Sequence, residues 1–300
     1  AWERGEKTLQ KLRAAEDAAT RAAIEEQIRA GLDLVTDGQV RWHDPISHLA
    51  GKLVGIEPNG LLRFFDTNFY FRQPVVRAVL SRQESLVLEE YTFARTVSAK
   101  PVKPVLTGPY TLAKLTLVEH EPYRRLEALV RAYAEILAAE IAALAAAGAE
   151  IIQLDEPAIL KNSLDFPIFQ RAMEFLARHK GRARLALYLY FGDSIPLYDR
   201  LQRLPIDVLG LDFTYNPKLV QRIVMSGSVK ALGLGLVDGR NTKLEGPGEV
   251  ARQIDRLLPR VQADVCYLNP SCGLEYLPRD RAFAKLAHLG TIRAAVKGAR

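Results

Sequence analysis

Asp155 and Glu156 stand side by side at the end of the apolar run 151–154, and Pro157 stiffens the exit. A carboxylate aimed from such a strand end can hold a substrate ammonium or move a proton. Capping the next helix is the plainer task, but two adjacent acids before a proline exceed what a cap requires, which favours a substrate-facing role. Asp212 ends the run 208–211 and suits a metal ligand, an acid/base or a cap equally. Cys272 lies in the turn Asn269-Pro270-Ser271-Cys272-Gly273, where a thiolate can bind zinc or attack an electrophile. Cys266, inside the preceding run, reads as a buried side chain. The histidines at 43, 48, 120, 179 and 288 form no ligand-spaced pair with Asp212 or Cys272, so local motifs assemble no zinc site. Phosphate-cradling glycine motifs and the serine-hydrolase elbow do not occur, which disfavours those classes.

These groups recur at the ends of short apolar runs, which alternate with stretches of helical period, the texture of βα units. Strands are predicted over 32–35, 102–106, 151–154, 185–190, 208–211, 232–237 and 265–268. The clearest helix covers 123–147, with Gly148 at its C-terminal end; others are predicted over 80–98, 165–179, 195–204, 217–225, 247–261 and 278–289. Seven strands are one short of a (β/α)8 TIM barrel, whose chemistry sits at the carboxyl ends of its strands. Residues 1–31 carry a helical spacing and no strand-like run, so the count predicts a first strand upstream of Ala1. The expected architecture is an α/β protein forming one barrel domain over 1–300. Residues 53–76 interrupt the alternation; Pro58-Asn59-Gly60 between apolar runs predicts a hairpin insertion over the barrel mouth.

Composition narrows the rest. The 300 residues are 48% hydrophobic and 25% charged, which suits a folded protein with a sizeable core and excludes disordered and fibrous classes. Two cysteines make no disulfide framework and suggest a reducing, cytoplasmic setting. The net charge of +6 is dispersed, so no nucleic-acid-binding stripe stands out, and the excess suits at most an anionic small molecule or an acidic partner. The most apolar stretch, 136–147, is interrupted by Glu140 and falls short of a membrane span, and no signal-peptide hydrophobic region follows Ala1.

Four clusters in order resemble cobalamin-independent methionine synthase: Thr36-Asp37-Gly38-Gln39 with Arg41 and Asp44, Leu106-Thr107-Gly108-Pro109-Tyr110-Thr111, Ile152-Gln153-Leu154-Asp155-Glu156-Pro157-Ala158, and Asn269-Pro270-Ser271-Cys272-Gly273-Leu274. The resemblance spans almost the whole chain and implies methyl transfer from a methylfolate to homocysteine sulfur. The family's catalytic barrel holds zinc through a His-x-Cys pair, an acid and a cysteine. Carried over, the acid falls on Asp212 and the cysteine on Cys272, while the His-x-Cys pair falls on Tyr188 and Tyr190. Two surviving ligands cannot hold the ion tightly, so no cofactor is expected, and zinc only if other residues complete the site.

Further departures accompany that loss. The acid expected after Asp-Gly, which helps bind the homocysteine amino group, is Gln39, and the aromatic expected near the pterin is Leu115. The resemblance keeps Asp155 as amino-group partner, puts Gln39 and Asp44 on the same side, and adds Glu156 and Arg240 as candidate substrate ligands. Tyr188 and Tyr190 would fill the metal's space and block the thiol. Phe65-Asp66-Thr67-Asn68-Phe69-Tyr70, Tyr190-Phe191-Gly192 and Val237-Asp238-Gly239-Arg240-Asn241 look more like the zinc-lacking N-terminal barrel of the long enzymes. That likeness implies a split enzyme whose partner chain carries the catalytic zinc barrel. A self-sufficient methyltransferase completing a site around Asp212 and Cys272 is one alternative. A metal-free decarboxylase-like enzyme of the uroporphyrinogen type, using Asp155, Asp212 and Arg240, is another.

Overall fold

The computed structural model describes residues 8–297. Helix α1 (Leu9–Arg29) starts at Thr8, whose hydroxyl accepts the Lys11 amide at 3.3 Å. Near its end, Gln27 clamps the backbone of Thr36 from both sides, donating to its carbonyl and accepting from its amide at 2.9 Å each. That clamp seats the first parallel segment, which contributes one bridge, Val35 to Val102. The prediction over 32–35 is therefore right in place and direction, but too short to form a ladder.

After the short helix α2 (Ser47–Ala50), strands β1 (Leu53–Arg63) and β2 (Tyr70–Arg82) form the long antiparallel hairpin. Its turn corrects the sequence expectation. Asn59-Gly60 lie inside β1 at a register shift between Pro58 and Leu61, and the chain reverses at residues 64–69. The reason is burial: Phe64 is enclosed among Phe65, Phe69, Phe71 and Phe191, and its amide donates to the Phe69 carbonyl at 2.8 Å. A buried aromatic cluster outweighs a local turn preference. Because β2 runs on to Arg82, the helix predicted over 80–98 shrinks to α3 (Leu88–Val97). It is anchored by buried Glu140, which accepts the Val87 and Leu88 amides at 2.7 and 2.9 Å and pairs with Arg82.

The remaining chain alternates as predicted: β3 (Val105–Thr107), α4 (Pro109–Lys114), β4 (Leu117–Val118), α5 (Leu126–Ala146), β5 (Ile151–Asp155), α6 (Phe166–Ala177), β6 (Arg184–Leu189), α7 (Tyr198–Gln202), β7 (Val208–Asp212), α8 (Lys218–Ser226), β8 (Ala231–Val237), α9 (Pro247–Leu257), β9 (Tyr267–Pro270) and α10 (Arg279–Ala295), with α4 and β4 as short unpredicted additions. Strand β4 joins the hairpin, and the others form one parallel sheet in the order β3-β5-β6-β7-β8-β9. With the Val35 bridge, seven parallel segments follow each other in chain order, the arc of a (β/α)8 barrel. Among the described residues no pairing joins β9 to the Val35 segment, and the first strand expected upstream of Ala1 lies outside them.

The apolar side chains divide accordingly. One large cluster packs the strands against the surrounding helices, with Phe166, Phe169, Met173, Tyr133 and Leu187 fully enclosed. A separate small one, Ile151, Ala186, Tyr188, Val208 and Ala231, faces the axis. Strands β6, β7 and β8 are covered on both faces, so they read as continuous apolar runs and were legible as buried parallel strands.

Candidate functional site

Tyr188 dominates the axis. Its ring lies across the barrel where β7 and β8 offer only glycines: a Cβ at Gly210 would come within 2.5 Å of ring carbons Cγ and Cε1, and one at Gly233 within 2.8 Å of the hydroxyl. Real Cβ atoms do not approach that closely, so Gly210 is the space that admits the ring. The Tyr188 hydroxyl reaches Asn269 Oδ1 at 3.5 Å, and the Lys103 amine lies over the ring at 4.7 Å from its centroid.

Asp155 ends β5 one step from this ring and is half-buried. It accepts Gln153 Nε2 at 2.7 Å on one oxygen and the Tyr190 hydroxyl at 3.2 Å on the other. Burial, reinforced by Glu275, raises its pKa to about 6, against the pull of Gln153, Lys103 and Tyr190. Burial and Asp155 both push the Tyr188 and Tyr190 phenols far up, so both rings stay neutral. A carboxylate with two donors and one nearby cation is the kind of group whose charged form a further cation would favour.

The other strand-end acids have different tasks. Glu156 is fully buried, and its carboxylate takes the amides of Tyr110 and Thr111 at 2.9 and 2.7 Å and the Thr111 hydroxyl at 2.6 Å. It thus caps α4, the helix of the preceding βα unit. Both oxygens are engaged, although burial raises its pKa to about 7. Glu156→Ala is expected to cost about 3 kcal/mol in urea unfolding, because three donors lose their acceptor in a water-excluded place; a loss below 1 kcal/mol would rule out the cap.

Asp44 is engaged by backbone in the same way. It accepts the Ile46 and Ser47 amides at 2.8 and 2.6 Å and the Arg72 amide at 3.2 Å, tying α2 to the hairpin. Asp212 binds the turn behind β7 through Thr214 N, Thr214 Oγ1 and Tyr215 N at 2.9, 2.6 and 3.1 Å, and its second oxygen faces the Phe191 amide at 3.5 Å. Gln39 folds back onto Asp37, with Nε2 to Oδ1 at 2.9 Å, and no hydrogen bond joins it to Asp155. Phe65, Phe191 and Gln39 carry φ of 50°, 64° and 48°, the three left-handed non-glycine residues described. Each costs on the order of 1 kcal/mol and is held by its surroundings.

Cys272 is buried, with its thiol toward the Gly273 carbonyl at 3.4 Å. Burial, then Glu275 and Asp212, push its pKa well above the ordinary thiol range, so it stays protonated. Arg240 lies over the Phe191 ring at 5.6 Å, on the Asp212 and Cys272 side of the mouth. The hairpin closes the same side: Phe64 and Phe65 meet Phe191, and Phe69 meets Tyr276. The hairpin tip therefore packs on the ends of β6 and β9, the position expected of residues 53–76.

Two groups escaped the sequence reading. Lys103 stands before β3 with no motif to mark it. Glu90, inside an ordinary amphipathic helix, is buried and gathers Trp42, His48 and Lys52 at 3.0, 2.8 and 2.9 Å. Burial alone would raise its pKa, but His48 and Lys52 hold it down to about 2, while neighbouring Asp37 is raised to about 6 by burial and by Glu90. Only the Asp37-Gly38 motif hinted at this cluster.

A parallel βα arc with a carboxylate and two phenols at its carboxyl end defines a protein of the TIM-barrel class. Residues 1–295 match the family described as cobalamin-independent synthase, catalytic domain. The chain belongs to the cobalamin-independent methionine synthase family. It is 31% identical over 287 residues to the methionine synthase of Saccharolobus solfataricus, covering 95% of this chain and 85% of that one. It is 32% identical over 286 residues to that of Sulfurisphaera tokodaii, covering 93% and 81%. The B12-independent methionine synthase of Shewanella sp. W3-18-1, solved with selenomethionine, superposes with a TM-score of 0.79 at 26% identity, over 95% of this chain and 89% of that one.

Zinc is the metal this family implies, and the donors here do not fit it. Asp212 is engaged by its own turn, Cys272 is a buried neutral thiol, and Tyr188 and Tyr190 are neutral phenols. Among the described residues no three His, Cys, Asp or Glu side chains are grouped as metal ligands. None of the described helices is long and apolar enough to cross a membrane.

Proposed function

We propose that the chain binds the amino-acid partner of the methionine synthase reaction through Asp155, without activating its thiol by a metal. In this reading it serves methyl transfer, from a methylfolate-type donor to homocysteine, as a component beside a partner chain that carries the catalytic zinc barrel. The single observation behind it is the Tyr188 ring seated over Gly210 and Gly233 while Asp155 is retained. In this reading Asp155 supplies one half of the family's substrate grip, and a hydrocarbon-faced phenol stands in place of the metal half. The likeness to the Shewanella barrel solved with selenomethionine supports a sulfur amino acid as ligand. Asp155 takes the ammonium, Gln153 and Tyr190 fix its two oxygens, and the hairpin aromatics exclude water. The likeness of residues 65–70 and 190–192 to the N-terminal barrel of the long enzymes supports the partner.

Two measurements test this reading. Calorimetric titration with methionine and homocysteine is expected to show binding that Asp155→Asn weakens roughly 30-fold or more, about 2 kcal/mol, since an ammonium loses its only full counter-charge; equal affinities would reject Asp155. The purified chain is expected to hold well under one zinc per molecule and to form no methionine from homocysteine until a catalytic-barrel protein is added. Stoichiometric, tightly held zinc would reject the metal-free reading, and turnover by the chain alone would reject the partner. Replacing both phenols, Tyr188→His with Tyr190→Cys, should raise zinc affinity, and an unchanged affinity would count against the register of the resemblance.

A further inference from the structure

Among the described residues Lys103 is the one cation acting on Asp155, and the reading above gives it no task. It precedes β3, its backbone amide bonded to the Val35 carbonyl at 2.8 Å, one residue pair below the Gln153 level. Its side chain climbs from there to two partners, the face of Tyr188 and the side-chain oxygen of Gln153.

An ammonium has only N–H donors, so the Gln153 amide must turn its oxygen to Lys103. Its NH2 group is then forced toward Asp155, where it donates at 2.7 Å. Without the lysine the amide could rotate by half a turn, and its oxygen would meet the carboxylate. Such a juxtaposition leaves the anion without its donor and repels it, or recruits a proton to Asp155. The same amine supports the Tyr188 ring against the glycines of β7 and β8.

We infer that Lys103 is a positioning residue: acting through Gln153, it keeps Asp155 an ionised acceptor for a cationic substrate group, and it holds Tyr188 across the barrel. The inference deepens the reading of Asp155 as an ammonium site and rests on it only for the purpose of the arrangement, since the arrangement itself exists without ligand. Around Asp155 the charged and titratable neighbours are Lys103 just ahead of β3, Tyr188 and Tyr190 from the end of β6, Glu156 beside it, and Glu275 and Tyr276 from the turn after β9. Only Lys103 is cationic among them. Enclosure lowers its own pKa to about 8, with Asp155 opposing, so it remains mainly charged at neutral pH.

The test is a carbon-detected NMR titration of the Asp155 carboxylate in the ligand-free protein, with the signal assigned from Asp155→Asn. Lys103→Met, of similar length and without charge, should raise the proton affinity of Asp155 roughly tenfold, and Lys103→Arg should restore most of it. Gln153→Met, which severs the relay and leaves the charge, should raise it as well, and the double variant Lys103→Met with Gln153→Met should fall short of the product of the two single effects. If Lys103→Met does not fold, judged by circular dichroism, Gln153→Met against wild type decides alone. An unchanged Asp155 midpoint in a folded variant, or multiplicative effects in the double variant, would overturn the inference. Because no ligand is present, that outcome is separate from the calorimetric test of Asp155 as an ammonium site: either can fail while the other stands.

Discussion

Gly210→Ala is expected to destabilise the protein by about 3 kcal/mol in urea unfolding, a large effect for one methyl group. The added Cβ would lie within 2.5 Å of Tyr188 Cγ and Cε1. The ring has little room to retreat, with Gly233 under its hydroxyl and the Lys103 amine over its face. The backbone of a strand paired on both sides cannot shift without breaking ladders to β6 and β8. Tyr188→Ala alone should cost a similar amount, through the cavity it leaves. Combining the two should cost little more than Tyr188→Ala by itself, because the clash disappears with the ring. Equal addition of the two penalties would show that the phenol does not occupy the axis, and the metal-free reading would lose its support.

The second large effect is a stability that falls as pH rises through the neutral range. Asp37 and Asp155 are raised from 3.8 to about 6, and Glu156 from 4.5 to about 7, in each case chiefly by burial. Between the unfolded and folded values the native state binds more protons than the unfolded one, so stability declines with pH there. Their stabilisation is complete near pH 4 and lost by about pH 7, on the order of 1–3 kcal/mol for each group. Glu90 has the opposite sign: lowered from 4.5 to about 2, it contributes above pH 4.5 and fades as pH falls toward 2. Thermal unfolding should therefore show its highest midpoint at about pH 4 and a lower one at pH 8. Asp155→Asn should flatten this slope and raise the midpoint at pH 8, since a neutral amide relieves an uncompensated charge. A midpoint that climbs from pH 5 to pH 8 would contradict the burial of these acids.

The βα frame was legible because a strand covered on both faces has to be an unbroken apolar run, and 185–190, 208–211 and 232–237 are such runs. The hairpin was legible and its turn was not. Asn59-Gly60 is a local preference, whereas the observed reversal is set by Phe64 meeting Phe191, more than a hundred residues away. The same limit explains the acids. Asp212 and Glu156 end their segments as Asp155 does and Asp44 follows in a loop, and sequence position cannot tell a carboxylate without backbone donors from one taken up by backbone amides. Lys103 went unread because its partners come from β5 and β6. A trace of Tyr188's place was present in Gly210 and Gly233, bare positions inside two apolar runs that signal a close neighbour.

The side chains that fasten the rim have a consequence of their own. Glu156, after β5, binds the helix that follows β3; Asp212, after β7, holds the backbone that follows β6; and Thr107, ending β3, donates to the Pro45 carbonyl. Three rim segments are thus each fastened by a side chain that a different segment supplies. Transplanting a single loop from a zinc-binding relative would remove its neighbour's fastening together with its own sequence. Recovering metal-dependent chemistry on this scaffold would demand exchange of adjacent loops as sets, and a lineage drifting between the two forms would have to change them in concert.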